Sequence, residues 1–312
     1  MNKRREFLKT SGALAAGSLI LPYGCTQKKK PAEQEEMVQE PEKKEIGLQL
    51  YTLRDDIEAE GIVSVLEKVA KLGYTWMEGF KYEDRKILGL APAELKKVLD
   101  DLGMSMPSVH AVTEVSSDGG KDAVVKQMAE SVEDVKAVGA KYLIWAYLQE
   151  EDRKSIEDYK RHVETWNQFG KVCKEGGLQF AYHNHDFEFL TPDGVNAYDM
   201  IMENTDPDEV KFELDLFWIT MAGYDPVEYF SKAPGRFPLW HVKDKINQPF
   251  MADDEERYFA EVGNGIIDFA RIFAARETAG LEYFFVEQDF TQKTPFESIE
   301  ISIDYLNKAE FL

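Results

Sequence analysis

The stretch Leu178–Glu188, LQFAYHNHDFE, decides the fold of this chain. It begins as a short apolar run and then presents two imidazoles, two carboxylates and an amide between His183 and Glu188. A buried strand that ends abruptly in coordinating side chains is how a parallel barrel presents chemistry at its C-terminal rim. A single run of this kind equally fits a strand followed by a solvated turn, so the interpretation depends on how the other segments end.

Short apolar runs alternate with longer amphipathic runs from Glu45 onward. The apolar runs predict eight strands, at Ile46–Tyr51, Tyr74–Glu78, Met104–His110, Tyr142–Ala146, Leu178–His183, Val210–Asp215, Phe237–Val242 and Tyr283–Glu287. The amphipathic runs predict helices at Gly61–Leu72, Pro92–Leu102, Lys121–Val138, Ile156–Lys174, Ala197–Glu203, Ile266–Ala279 and Thr294–Asn307, and one more that opens at Asp225-Pro226.

The number and order of these elements predict a closed (β/α)8 TIM barrel in one domain, residues 45–312. Removing the first 44 of 312 residues leaves 268, and a barrel of this kind typically has about 250. An open doubly wound sheet is the alternative, but it normally carries a glycine-rich loop after its first strand, where this chain reads TLRDD. We therefore favour the barrel. The long segment Asp244–Gly265 predicts a lid or rim insertion.

The first 44 residues predict an export segment and a tether. The run KRREFLK, followed by the apolar small-residue run Gly12–Leu21, resembles a twin-arginine export signal over residues 1–25. Cys25 lies where a lipoprotein would be cleaved, and two alternatives stay open: a lipid anchor on Cys25, or a cysteine that is removed or free. Residues 26–44 are rich in Lys, Glu, Gln and Pro, which predicts a disordered linker. We expect an exported, periplasmic protein, tethered to the membrane if Cys25 is lipidated.

The composition indicates a globular enzyme with an acidic surface. The chain is 44% hydrophobic and 12% aromatic, and its net charge is −21. This charge repels phosphate groups, and the predicted strand ends carry no basic cluster beyond Arg54 and Lys243. We therefore expect no nucleic acid among the partners; the oligomeric state is left open.

Most of the predicted strands end in a side chain that can ionise or bind a metal. Such side chains would be much rarer at the ends of random strands. Those ends are Tyr51, Glu78, His110, Trp145, His183, Asp215, His241 and Glu287. A barrel brings all of them to one face. Strands five to eight contribute two imidazoles and two carboxylates, a set that suits one divalent Mn, Co, Fe or Zn ion with open positions for substrate oxygens: His183, Asp215, His241 and Glu287.

Each strand-end residue taken alone also has a purely structural interpretation. His110 fits a hydrogen-bonded rim histidine, and Glu78 fits an ion pair with Lys81 or Lys243. Asp215 fits the cap of the turn that follows it. The functional interpretation therefore rests on the clustering of these groups, which only the barrel predicts.

The runs that carry these residues resemble the sugar phosphate isomerase/epimerase superfamily, the xylose-isomerase-like barrels. The matching runs are GLQLYTLRD (Gly47–Asp55), PSVH (Pro107–His110), LQFAYHNHDFEF (Leu178–Phe189), FELDLFWITMAGYDP (Phe212–Pro226), HVKD (His241–Asp244), GNGIIDF (Gly263–Phe269) and FVEQD (Phe285–Asp289). The resemblance implies one divalent ion on the four residues that end strands five to eight. It also implies isomerisation, epimerisation beside a ketone, or related dehydration chemistry.

The chain departs from the family pattern at two positions. The strand-five ligand of the epimerases is usually Glu, and here it is His183, which disfavours a symmetric two-base epimerisation. Relatives often carry His three residues after the strand-six Asp, where this chain has Trp218, a side chain that suits stacking on a sugar. Both departures favour a glycoside or an oxidised sugar over a free ketose.

The strand ends and the resemblance together predict a metal-dependent sugar isomerase or epimerase that removes a proton beside a carbonyl of a small-molecule carbohydrate, a neutral sugar or keto-sugar derivative. The alternatives are a 3-keto-glycoside lyase or hydratase and a non-catalytic sugar-binding lipoprotein; a nuclease related to endonuclease IV is a weaker third. The predicted catalytic residues are Glu287, His185 and Lys243. The predicted substrate-binding residues are Tyr51, Glu78, His110, Trp145, Glu188 and Trp218.

Overall fold

The computed structural model describes residues 44–112, 120–248 and 258–312. The predicted signal segment, Cys25 and all but the last residue of the predicted linker lie outside the described residues, as does the middle of the predicted lid Asp244–Gly265. No helix within the described ranges has both the length and the apolar character needed to cross a membrane.

Eight parallel strands close into a barrel, as the sequence predicts. They are β1 (Gly47–Gln49), β2 (Trp76–Gly79), β3 (Ser105–Val112), β4 (Tyr142–Trp145), β5 (Gln179–His183), β6 (Val210–Asp215), β7 (Leu239–Val242) and β8 (Tyr283–Val286). Each strand pairs with its sequence neighbours, and β1 closes the ring by pairing with both β2 and β8. Gly47 makes that closure possible, because a Cβ on it would lie 2.4 Å from the carbonyl oxygen of Phe284.

The barrel is surrounded by helices. They are α1 (Arg54–Glu60), α2 (Ile62–Leu72), α3 (Pro92–Asp101), α4 (Gly120–Ala137), α5 (Ile156–Gly176), α6 (Ala197–Asn204), α7 (Leu216–Met221), α8 (Pro226–Lys232), α9 (Phe269–Ala274), α10 (Arg276–Ala279) and α11 (Pro295–Lys308). Side-chain caps begin several of them: Ser155, Asn196, Asp225 and Thr294 each accept a hydrogen bond from a backbone N–H of the first turn.

The structure differs from the predicted helices and strands in a few places. The predicted helix Ile266–Ala279 is two short helices, α9 and α10, separated at Ala275. Helices α1 and α7 and two hairpins were not predicted, because these elements are too short to show a periodic apolar pattern. One hairpin joins Tyr82–Glu83 to Lys86–Ile87, and the other joins Asp244–Lys245 to Phe259–Ala260.

Side-chain alternation divides the strand residues between two environments. Residues that point into the barrel form a small apolar layer that includes Ile144, Ala181, Leu239 and Phe285. Outward residues pack in the larger core against the helices. Because successive side chains on a strand point to opposite faces, the residue two positions after an inward apolar residue also points inward. His183, His241 and Glu287 follow Ala181, Leu239 and Phe285 in this way, so they lie directly above the apolar layer.

The loop after β7 is fastened to the barrel by one buried carboxylate. Asp244 is 1% exposed, and its Oδ1 accepts hydrogen bonds from the backbone N–H groups of Lys245 (2.8 Å) and Ile267 (3.1 Å). Its Oδ2 accepts hydrogen bonds from those of Gly263 and Gly265, both at 2.9 Å. Asp244 therefore holds the run GNGIIDF against the start of the rim hairpin.

We expect Asp244→Asn to lower the free energy of unfolding by about 2–4 kcal/mol, because its amide would turn two donors toward backbone donors inside the protein. Equilibrium denaturation in urea measures this change. Asp304→Asn is the matched control, since that carboxylate is exposed on α11 and lies 4.0 Å from Lys308. Equal unfolding midpoints for Asp244→Asn and the wild type would show that the carboxylate does not hold this loop.

Candidate functional site

Four side chains that end β5 to β8 converge above the apolar layer of the barrel. One ligand atom from each lies within 4.8 Å of the others, and all four side chains are buried: His183, Asp215, His241 and Glu287. These are the four residues that the sequence predicts as metal ligands. The geometry of each shows whether its free lone pair faces the shared space.

The two carboxylate oxygens of Asp215 have different roles, one in the fold and one in the site. Its Oδ1 caps α7 by accepting hydrogen bonds from the backbone N–H groups of Phe217 (2.9 Å) and Trp218 (3.0 Å). Its Oδ2 faces the site, 3.3 Å from His183 Nε2. The structural interpretation of Asp215 as a helix cap is therefore correct, and it leaves one carboxylate oxygen for a ligand.

His183 presents a lone pair to that oxygen. Its Nδ1 lies 3.2 Å from the carbonyl oxygen of Ala146, and a proton on Nδ1 would leave a lone pair on Nε2 in the neutral ring. Burial, and then His241, lower the pKa of His183 to about 4. In that tautomer His183 Nε2 and Asp215 Oδ2 present lone pairs to one space, 3.3 Å apart, which is the arrangement of two metal ligands.

His241 is oriented through Nε2, the ring nitrogen that does not serve as the candidate metal ligand. Its Nε2 lies 2.5 Å from Glu78 Oε2, an acceptor that fixes a proton on Nε2. Its Nδ1 lies 2.8 Å from Glu287 Oε2, yet the two do not meet in hydrogen-bond geometry, and this buried Nδ1 has no hydrogen-bond partner among the described residues. Neighbouring carboxylates, Glu213 and Glu287 foremost, outweigh burial and raise the pKa of His241, so an entering cation would displace a proton.

The four residues therefore fit a divalent metal ion. Two imidazole nitrogens and two carboxylate oxygens point into one buried space, a donor set used by Zn and other first-row transition metals. The hydrogen bonds to Ala146 and Glu78 hold the two imidazoles in the required orientation, as second-layer partners of metal ligands usually do.

Lys243 places a fixed positive charge beside the same oxygens. Its Nζ lies 3.0 Å from Asp215 Oδ2, 2.5 Å from Glu287 Oε2 and 2.9 Å from Asp289 Oδ2. Burial alone would lower the pKa of Lys243, but the three carboxylates outweigh it and raise the pKa well above its ordinary value. Lys243 in turn outweighs burial at Glu287 and lowers the pKa of that carboxyl. The ammonium and the carboxylates of Asp215 and Glu287 are thus ionised at neutral pH, whereas burial raises the pKa of Asp289 to about 6.

Glu78 lies beneath the candidate metal ligands and orients one of them. It is fully buried, and its Oε2 accepts a hydrogen bond from Gln49 Nε2 at 2.7 Å as well as facing His241. Ser108 donates a hydrogen bond to the other oxygen. The sequence predicts Glu78 as a substrate-binding residue; the structure encloses its side chain and places it against His241.

His110 extends this supporting layer to Glu213. His110 Nε2 lies 2.7 Å from Glu213 Oε2 and 3.3 Å from Glu78 Oε2, and its ring stacks on that of His241 with 5.3 Å between the centroids. Against the effect of burial, Glu78 and Glu213 raise the pKa of His110 to about 9. Burial, and then Glu78, raise the pKa of Glu213 to about 7. His110 is therefore tied into the second layer by charged hydrogen bonds.

The mouth of the site has an aromatic wall that includes Trp218 and His185. The two rings lie 5.5 Å apart, and Lys243 Nζ lies 5.7 Å from the Trp218 ring. Burial, His183 and Lys243 lower the pKa of His185 well below its ordinary value, so this imidazole is neutral. The buried His185 Nδ1 and Trp218 Nε1 have no hydrogen-bond partner among the described residues. Tyr51 lies at the exposed rim, where the Arg54 guanidinium stacks 4.4 Å from its ring.

Two predicted substrate-binding residues lie away from this mouth. Trp145 follows the inward Ile144 on β4, so it points outward, where its ring packs against Trp166 and Phe169 of α5. Glu188 is fully buried, because its carboxylate accepts hydrogen bonds from the Tyr182 hydroxyl and from the backbone N–H of His185. Neither side chain is thus among the groups that the structure brings to the mouth.

Glu213, Gln49 and Asp289 belong to the site and were missed from the sequence. Each lies two residues from a predicted site residue on the same strand or strand extension, as Glu213 does from Asp215 and Asp289 from Glu287. The period of two in an extended chain was the signal that could have found them. Glu213 lies beneath the last residue of its strand and Asp289 lies beyond the end of its strand.

Similarity to known proteins confirms the fold. A family model described as a xylose isomerase-like TIM barrel matches residues 66–309. A solved sugar phosphate isomerase/epimerase from Parabacteroides distasonis is 27% identical, with a TM-score of 0.72 over 86% of this chain and 96% of that one. The IOLI protein, solved with a bound zinc atom, has a TM-score of 0.67 over 84% of this chain and 96% of that one; at 18% identity it shows the fold alone.

Several curated relatives are inosose dehydratases. The one from Geobacillus thermodenitrificans is 28% identical over 47% of this chain and 54% of the relative, and the one from Lacticaseibacillus casei is 26% identical over 57% and 61%. These two matches thus span little more than half of each relative, whereas the match to the Geobacillus kaustophilus protein, at 23% identity, covers 86% of it. The family model covers well over half of this chain, and the chain therefore belongs to the xylose isomerase-like TIM barrel family.

Proposed function

We propose that this protein is a divalent-metal-dependent dehydratase that removes a proton beside the ketone of a neutral keto-sugar or cyclic keto-polyol and expels a β-hydroxyl. The observation that carries the proposal is the pairing of a charged acid, Lys243, with a neutral imidazole, His185, beside four oriented ligand atoms. The inosose dehydratases among the relatives support a dehydration of this kind. Isomerisation or epimerisation of a sugar is the second candidate, supported by the Parabacteroides distasonis relative.

The ion would be held by His183, Asp215, His241 and Glu287. When bound, it would act as a Lewis acid and polarise the ketone oxygen. His185 is the proposed base, since a neutral imidazole can accept the proton on the carbon beside the ketone. The C–H electron pair then becomes the enolate. As the enolate returns its electrons, the C–O bond to the β-hydroxyl breaks and Lys243 Nζ supplies the proton that turns the leaving group into water.

The single His185–Lys243 pair favours dehydration over epimerisation. An epimerase needs two bases on opposite faces of one carbon, and the resemblance to epimerases assigns one of these roles to the strand-five position, where this chain has His183. The Nδ1 of that imidazole faces the carbonyl oxygen of Ala146 and its Nε2 faces Asp215, which suits a metal ligand rather than a base. A dehydratase needs one base and one acid, which is the set that the mouth presents.

The charges around the mouth favour a neutral substrate. Three carboxylates surround Lys243, and Arg54 stacks on Tyr51 and donates a hydrogen bond to the carbonyl oxygen of Asp289. The excess of carboxylates around Lys243 therefore disfavours a phosphate beside it. The export signal predicted for residues 1–25 fits this substrate class, and we propose a periplasmic location on that basis.

Mass spectrometry in D2O tests the proposed reaction directly. We expect the metal-loaded protein to convert an inosose or a keto-glucoside into a product that has lost one water, and EDTA to stop the reaction. Deuterium incorporation without loss of water would favour the isomerase or epimerase. If no tested keto-sugar exchanged a proton, the non-catalytic sugar-binding alternative would take the place of the enzyme.

A further inference from the structure

A continuous track of aromatic rings leads from the mouth to the outer rim. The ring of Trp218 lies 5.8 Å from that of Phe259, which in turn lies 5.7 Å from Phe290. Phe217 stacks on Phe259 at 4.2 Å and holds it in place. Phe290 is 38% exposed, so part of its ring is open to a ligand. The proposed reaction at Lys243 and His185 does not use Phe259 or Phe290.

The outer end of this track borders a groove of about 560 Å³. The rim hairpin forms one wall with Ile246 and Phe259, and the segment after β8 forms the other with Gln288 and Phe290. This volume lies within the range of pockets that bind small molecules, roughly 300–1,000 Å³. The groove is therefore large enough for a sugar ring beside the one that the catalytic mouth would hold.

The groove carries polar groups without a net charge. Its two charged side chains neutralise each other, because Glu261 Oε1 accepts a hydrogen bond from Lys293 Nζ at 3.0 Å. Thr291 also donates to that oxygen, and Asn264 donates to the other one. A phosphate or a carboxylate would find no free cation among these residues, whereas sugar hydroxyls suit the remaining amide and hydroxyl groups.

Gln288 supplies a buried polar atom that still lacks a partner. The side chain lines the groove and is 3% exposed, and its Nε2 donates a hydrogen bond to the carbonyl oxygen of Phe290 at 2.8 Å. Its Oε1 has no hydrogen-bond partner among the described residues. A buried acceptor without a partner is costly, and a ligand hydroxyl would satisfy it once the Gln288 side chain turns its oxygen toward the groove.

We infer that this groove is a subsite for a second, neutral sugar ring, so that the substrate is a glycoside of a keto-sugar rather than a free monosaccharide. This inference rests on the proposed function for the position of the first ring. The apolar face of the second ring stacks on Phe290 and Phe259, whose ring faces attract the partly positive C–H groups of a sugar. One of its hydroxyls donates to Gln288 Oε1, and the aromatic track joins the two rings across Trp218.

Isothermal titration calorimetry of the metal-loaded full chain tests the subsite with unoxidised sugars, which bind without reacting. The probes are glucose and a panel of neutral glucose disaccharides with α and β linkages. We expect at least one disaccharide to bind about tenfold or more tightly than glucose, the gain for burying one additional apolar ring face. We expect Phe290→Ala to remove that gain and leave the affinity for glucose unchanged, and Phe290→Tyr to restore it.

Leu190→Ala is the matched control, because Leu190 is also an exposed apolar residue, just after the turn that follows β5. It should leave every affinity unchanged. If no disaccharide binds more tightly than glucose, or if Phe290→Ala weakens glucose and disaccharides equally, the second subsite is wrong. Metal content and proton exchange by the wild type report on the proposed function separately, so a failure of either proposal can be recognised alone.

Discussion

Asp215→Ala is expected to release the divalent ion and to lower turnover by more than about a hundredfold. Loss of an outer-layer partner of a metal ligand typically costs about 10–100-fold in affinity or activity, and loss of a ligand itself costs more. The variant also leaves Lys243 with one carboxylate fewer and His183 Nε2 without its facing oxygen. Inductively coupled plasma mass spectrometry of the purified proteins measures the ion, and the wild type should carry about one per chain.

Because Asp215 also caps α7, two further variants separate the cap from the metal site. Asp215→Asn can keep the cap, since an amide oxygen also accepts hydrogen bonds from the Phe217 and Trp218 N–H groups, but it removes the charge. We expect it to lose the ion as well. Asp225→Ala removes the cap of α8, where Asp225 Oδ1 accepts from Val227 N–H at 3.0 Å, and it should keep the ion. Full metal content in Asp215→Ala would overturn the ligand assignment.

The sequence predicts the barrel well because strand ends and helix boundaries are local signals. All eight strands were found, and Val210–Asp215 was placed to the residue. Each apolar run is long enough to show which residues are buried, and glycine or proline marks most helix ends. The four candidate metal ligands follow from the same logic, because the last inward residue of each strand reaches the same face of a closed barrel.

The second layer of the site could not be predicted in the same way. Whether Glu78 touches a substrate or holds His241 depends on which carboxylate oxygen faces which ring nitrogen across the barrel. β2 and β7 lie on different sides of the closed sheet, and the sequence carries no trace of their contact. Trp145 shows a related difficulty: one residue of uncertainty in the end of β4 moves a side chain from the mouth to the helix layer.

The rim is built from segments that have little periodicity, so its prediction was weakest. The predicted lid Asp244–Gly265 contains a hairpin whose strands are two residues each, Asp244–Lys245 and Phe259–Ala260. Phe259 and Phe290 are far apart in sequence and meet only because this hairpin and the segment after β8 lie side by side. Specificity in barrels of this kind resides in such loops, whereas the strand ends carry the shared chemistry.

Lys243→Met is expected to keep the metal ion and to lower the rate of dehydration by about 10²–10⁴-fold, the usual contribution of a general acid. Methionine retains most of the lysine stem, so packing beneath Trp218 is preserved while the ammonium is removed. Without its proton, the β-hydroxyl must leave as hydroxide. Proton exchange with D2O should persist more strongly than dehydration, because removal of the proton beside the ketone relies on His185 and not on Lys243.

The thermal stability of the Lys243→Met variant should depend on the bound metal. In the wild type, Lys243 neutralises Asp215, Glu287 and Asp289 at distances of 2.5–3.0 Å. Removing one partner from a buried ion pair costs about 3–5 kcal/mol when nothing replaces the charge. We therefore expect Lys243→Met to melt at a markedly lower temperature than the wild type in EDTA and at a similar temperature with saturating metal. Lys245→Met is the control, because Lys245 lies over the Tyr258 ring and donates to the carbonyl oxygen of Ile246.

A Lys243→Met protein that dehydrates at the wild-type rate would exclude Lys243 as the acid, whatever its effect on stability.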